Sequence, residues 1–118
     1  MNKTNVVTSS ASTENKIEFY NLEKVRFIIK DGSGLDIAYA YEDLVFSEHA
    51  IFIFQFDLKS SETIYCWFNQ DCIETDRVSL LTSLIKTATL NKMKIIYKGK
   101  FEMIQKENEQ ISVDFKEI

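Results

Sequence analysis

The sequence has no proline, three glycines, two cysteines and a single histidine, and it contains no long unbroken apolar run. Each shortage narrows what the chain can do. A membrane-spanning helix needs roughly 20 consecutive apolar residues, whereas "AIFIF" at 50–54 is the length of a buried strand, so no membrane partner is expected. The opening "MNKTNVVTSSASTENK" lacks the apolar core of a secretory leader. A cytoplasmic location is expected, where two cysteines remain reduced. The lack of proline, with twelve lysines against two arginines, suggests an AT-rich bacterial or phage genome.

The shortage of ligands bears on chemistry. A zinc site draws about four ligands from short local pairs, while Cys66, Cys72 and His49 contain no C-x-x-C, so neither a metal nor another cofactor is expected. A Cys66–Cys72 disulfide would require the chain to turn sharply at Asn69. A thiol nucleophile needs an imidazole base in contact and a group to orient it. Cys66, however, alternates in step with Ile64 and Phe68, as a small buried hydrophobe does. His49, in "SEHA", reads as a solvated turn residue. "DGSG" at 31–34 does not join a strand to a helix, as a phosphate-binding loop must. Carboxylate pairs such as Glu42 with Asp43 fall in turns. These readings argue against an enzyme.

What the chain does contain is an ordinary globular composition, 45% apolar and 27% charged over 118 residues, enough for a single core. Residues 1–15 are mostly Ser, Thr and Asn and read as a flexible tail, leaving 16–118 as one β-rich domain. Period-two alternation then dominates. "EKVRFIIK" sets Val25, Phe27 and Ile29 on one face and reads as a strand, "DGSG" as a hairpin turn, and "LDIAYAY" and "AIFIFQFDL" as the next two strands. "TIYCWFN" is the fourth, with Ile64, Cys66 and Phe68 facing one way and Tyr65 and Trp67 the other. In "ETDRVSLLTSLIKTATLNK" the period becomes helical: Val78, Leu81, Ile85 and Ala88 recur together, giving a helix over about 76–90. "KMKIIYK", "KFEMIQK" and "ISVDFKE" complete about seven strands. The expected fold is α+β, mostly β: antiparallel strands in a curled sheet or small, partly open barrel, with one helix between strands four and five. The order "TIYCWFN…VSLLTSLIKTATLNKMKIIYK" resembles the layout of the small OB-type barrels that form ring-shaped toxin B subunits. The likeness spans about forty residues of element order, and no functional residue carries across.

Charge is sorted along the chain. Residues 36–76 hold nine acids against Lys59 alone, a segment charge of −8, while 77–101 hold six basic residues and no acid. The acidic segment suits a surface for a basic protein partner, steered by charge, with Asp57, Glu62 and Glu74 as its contact residues. Lys92, Lys94, Lys98 and Lys100 alternate in the basic segment and form a stripe suited to a nucleotide or single-stranded nucleic acid. The same stripe also suits an edge strand protected from self-association. Tyr65 and Trp67 form an exposed aromatic pair for an interface if their face is open, or core if sheet lies on both sides. Three readings follow: a non-enzymatic inhibitor or immunity-type module binding a basic partner; an OB-like barrel holding an anionic ligand on the lysines; and a structural subunit of a homo-oligomer.

Overall fold

The structure, a computed structural model, describes residues 2–7, 21–107 and 110–118. In chain order its elements are β1 (Asn2–Val7), α1 (Leu22–Ser33), β2 (Ile37–Tyr41), β3 (Leu44–Ser47), a 3-10 turn (Glu48–Ala50), β4 (Phe52–Phe56), β5 (Thr63–Asn69), α2 (Glu74–Leu90), β6 (Lys94–Gln105) and β7 (Gln110–Glu117). The expected mixed, mostly-strand class and curled sheet are present: β2 to β7 form a half-barrel, and β1 lies along β7. The spatial order is β1-β7-β6-β5-β4-β3-β2, unlike a five-stranded Greek-key barrel.

Four details depart from the sequence reading. The segment containing "EKVRFIIK" is the helix α1, not a strand. Val25 and Ile29 fit either period, but Val25, Ile28, Ile29 and Gly32 together form a helical face, and that is the face buried. Phe27, which alternation places in the core, is 53% exposed. The Asn21 side chain accepts from the Lys24 N–H at the helix start, and Gly34, at φ 80°, ends it with its N–H donating to the Lys30 carbonyl. "DGSG" is thus a helix terminus rather than a hairpin.

Second, "LVFS" is a strand of its own, β3, too short to show a period. Third, "KMKIIYK" and "KFEMIQK" belong to one long β6 that pairs parallel to β5, with α2 as the crossover. The expectation of antiparallel pairing throughout fails at this joint, and α2 lies between the fifth and sixth strands. Fourth, residues 2–7 of the expected tail form β1, in register from Asn2 opposite Phe115 to Val7 opposite Gln110. A sheet edge offers unpaired backbone groups, so main-chain pairing needs no apolar side chains. The remainder of the tail lies outside the described residues.

The two faces of the sheet bury separate cores. On one, Val25, Ile28 and Ile29 of α1 and Leu84 and Ala88 of α2 pack against Phe52, Phe54, Ile64, Cys66 and Phe68. The α2 face is rotated from the expected one: Leu84, Thr87 and Ala88 are buried, while Val78 and Ile85 stand 48% and 38% exposed. On the other face Leu44, Phe46, Ile53, Trp67, Phe101, Val113 and Phe115 form a second core inside the curl. There Tyr39 and Phe46, from one end of the sheet, and Met103 and Ile111, from the other, line a single apolar slot of about 250 Å³.

A β-bulge lets β6 serve both cores. Ile95 pairs with Ile64 and Tyr97 with Cys66, but Gly99 then pairs with Trp67, leaving Lys98 as the extra residue. Ile95 and Tyr97 therefore join the helix-side core, while Phe101 and Met103 join the half-barrel core. The same bulge divides the lysine stripe. Lys94 pairs with Thr63, on the Tyr65 face, and Lys100 pairs with Phe68, on the helix-side face. Lys92 lies in the preceding turn at φ 61°. Strict alternation, which ignores bulges, places all four on one face.

Candidate functional site

Strand register fixes which turns meet. Ile37 opposite Ser47, Phe46 opposite Ile53 and Phe52 opposite Phe68 bring the start of β2, the 3-10 turn and the exit of β5 to one end of the sheet, where α2 begins. Asp36, Glu48, Asp71, Glu74 and Asp76 lie at this end. Glu42, Asp43, Asp57 and Glu62 lie at the other, mixed with Lys59, Lys92 and Lys94; there the Lys94 N–H donates to the Glu62 carbonyl. The expected acidic residues are therefore not brought together. Asp57 and Glu62 stand at the far end from Glu74, separated by the length of β5.

At the near end a cleft of about 440 Å³ opens between the 3-10 turn, the β5 exit and the first turns of α2. Its apolar walls are Ala50, Ile51, Ile73 and Leu80, and its polar groups come from His49, Asn69, Asp71, Cys72, Asp76 and Ser79. The volume falls in the range of small-ligand sites. No lysine or arginine is among the described residues lining it.

Asn69 holds the cleft together. Its Nδ2 donates to the Ala50 carbonyl at 3.0 Å, its backbone N–H donates to the Ile51 carbonyl, and its Oδ1 accepts from the Asp71 N–H at 2.9 Å. One side chain thus ties the 3-10 turn to the β5 exit. Across the turn, the Ser47 Oγ accepts from the N–H groups of both Ile51 and Phe52 at 3.1 Å. These bonds hold His49 at φ 63° and Ala50 at φ 50°, two successive left-handed residues that an L side chain disfavours by about 1–2 kcal/mol each.

Cations also stand at this end: Lys116 Nζ donates to Gln70 Oε1 at 3.4 Å, and Lys100 pairs with Phe68 at the β5 exit. Asp36 is occupied by Arg26 at 3.1 Å, which with the Ile37 N–H holds its carboxyl below the usual range. Glu48 accepts from the Asp36 N–H. Asp71 and Asp76 are exposed and face the cleft. Glu74 reaches only Arg77, at 3.8 Å, and Arg77 itself sits over the Tyr97 ring at 5.2 Å. The Ile73 cap of α2 makes no side-chain bond, so the helix start contributes roughly half a positive charge against three carboxylates.

The surroundings of Cys72 raise its thiol pKa rather than lower it. Partial burial pushes its thiol pKa up, Asp76 adds to the rise and Arg77 opposes it, whereas a reactive cysteine needs the opposite shift. Cys66 is wholly buried, which drives its thiol far upward. Both thiols are free. In the native protein an aromatic disulfide reagent at neutral pH is expected to label Cys72 alone, more slowly than free cysteine, and to reach Cys66 only in denaturant. Fast labelling of both would contradict the packing of β5.

Elsewhere, residues from three different sequence readings occupy one another. The Tyr65 hydroxyl donates to Asp57 Oδ2 at 3.2 Å, and Lys98 Nζ lies 4.9 Å over the Tyr65 ring while donating to Glu117 Oε2 at 2.8 Å. The Glu117 bond raises the Lys98 pKa and lowers that of Glu117, while desolvation, then Asp57, raises Tyr65. Trp67 is 3% exposed, with its Nε1–H donating to Gln55 Oε1 at 3.0 Å and its ring centroid 4.6 Å from that of Phe115. Its ring therefore has no free face to offer a partner.

Among the described residues no group of three or more His, Cys, Asp or Glu is placed to hold a metal ion, and no helix is long and apolar enough to cross a membrane. Comparison with known proteins gives no match: no family model, curated protein or solved structure aligns with the chain. The cleft is the candidate site. Sequence reasoning missed it because it is assembled from two turns twenty residues apart. The one local signal was "NQDC", a polar exit turn with an asparagine able to bond its own loop.

Proposed function

We propose that the protein is a non-enzymatic interaction module, of inhibitor or immunity type, that docks a basic partner against the cleft end of its sheet. The observation behind this reading is the lining of the cleft. Asp71 and Asp76 supply carboxylates to it and no lysine or arginine is among its described lining residues, while Glu74 lies beside it, paired with Arg77. Such a field speeds encounter with a basic surface and weakens with salt. The anionic-ligand reading draws less support, because the bulge splits the lysines between faces and Glu117 already matches Lys98.

Binding of lysine- and arginine-rich peptides, followed by fluorescence anisotropy across a salt series, tests the proposal. Reversing Asp71, Glu74 and Asp76 to lysine is expected to weaken binding on the order of tenfold or more and to flatten its salt dependence. Reversing Asp57 and Glu62 is expected to change it far less. Equal losses from the two sets would show that net charge, rather than the cleft end, governs association.

A further inference from the structure

Resting on that reading, we infer that the cleft is the socket for one arginine side chain of the partner. The lining is of two kinds. Ala50, Ile51, Ile73 and Leu80 make carbon walls, and Asp71 and Asp76 supply carboxylates at the same opening. A lysine ammonium is a strongly hydrated point charge and loses much of its solvation on entering such a space. Arginine matches both kinds of lining, since its stem and weakly hydrated guanidinium faces lie against carbon while its fixed fork of N–H donors pairs with both oxygens of a carboxylate. The roughly 440 Å³ volume takes one such side chain with space for water.

The frame is built before any partner arrives. Asn69 and Ser47 hold both sides of the opening through five hydrogen bonds between 2.9 and 3.1 Å. A preformed socket spares the ordering cost that weakens binding to flexible loops. Anchoring arginines in buried pockets are also among the residues that dominate interface energies.

The test uses two fluorescent peptides of equal length and charge, one built on arginine and one on lysine, with the full-length protein. The arginine peptide is expected to bind at least about tenfold more tightly and to shift the backbone amide NMR signals of Ile51, Asn69 and Asp71 to Ile73. Ser79→Phe, an exposed position whose ring would fill the cleft, is expected to bring the arginine peptide down to the affinity of the lysine peptide. Asp76→Asn, nearly the same shape, is expected to cut the arginine preference without filling the space. If both peptides bind equally, or if the preference survives Ser79→Phe in a variant with an unchanged unfolding midpoint, the socket is wrong while the acidic docking surface stands. If neither peptide binds, the docking reading falls with it.

Discussion

Gly99→Ala is expected to destabilise the protein by about 3–5 kcal/mol, a large share of the roughly 5–15 kcal/mol that holds a typical domain folded. Gly99 sits at φ 153°, a conformation that L side chains rarely adopt. A Cβ at this position would press into the backbone carbonyl oxygen of Lys116 and stand 3.0 Å from Glu117 Cα and 3.1 Å from Ile118 N. All three are main-chain atoms that no side-chain rotation can clear, so β7 must move. Its displacement would break the Ile118 N–H bond to the Lys98 carbonyl and pull Glu117 away from Lys98. Urea unfolding is the measurement, with the midpoint falling and the slope unchanged if only stability is affected. A loss below about 1 kcal/mol would mean that the bulge relaxes without cost and that β6 is not pinned at Gly99.

Trp67→Ala is expected to cost about 3–5 kcal/mol. The ring fills the half-barrel core against Phe115, and its removal also leaves Gln55 Oε1 without its donor while Gln55 Nε2 remains committed to Asp43 Oδ2 at 3.0 Å. Trp67→Phe retains most of the volume and loses the hydrogen bond, so it is expected to cost about 1–3 kcal/mol. The gap between the two variants in urea unfolding separates packing from hydrogen bonding. An alanine variant that unfolds like the parent would place the ring outside the core and return it to the role of an interface aromatic.

How far the sequence is legible follows from the range of the forces involved. β5 can be read to its ends, Thr63 and Asn69, and its two sets of side chains separated, but not which set is open, because Ile64 to Phe68 are apolar on both faces and Cys66, Trp67 and Phe68 are buried in succession. α2 can be read to within two residues of its start. α1 cannot: Val25 and Ile29 satisfy both periods, and the marks of a helix lie in Ile28 and Asn21, which a strand reading leaves unused, and in Gly32 and Gly34, which it takes for a hairpin turn. β3 buries both faces over four residues and so shows no period at all. The parallel joint, the bulge and the cleft depend on which distant segments meet, and no window of adjacent residues records that. Asp57, Tyr65 and Lys98 each fit an outward-facing role by their local pattern. Only the tertiary structure shows that they engage one another or a neighbour.

The parallel joint also shapes how the molecule comes together. β2 to β5 close through successive antiparallel neighbours, and β6 with β7 through a single hairpin, so each half can form from contacts local in sequence. Joining them requires α2 to dock and β5 to find β6, the one seam in the half-barrel that closes a long loop. The cleft stands at the end of this seam, where the Gln70 N–H donates to the Phe101 carbonyl and Asn69 pairs with Phe101. Its walls come from the 3-10 turn, the β5 exit and α2, so it exists only once α2 has docked, the step that also brings β5 to β6. A side chain held in it binds the joined state alone, so occupancy adds to the free energy that keeps the seam shut, and loosening the seam lowers affinity by the same coupling.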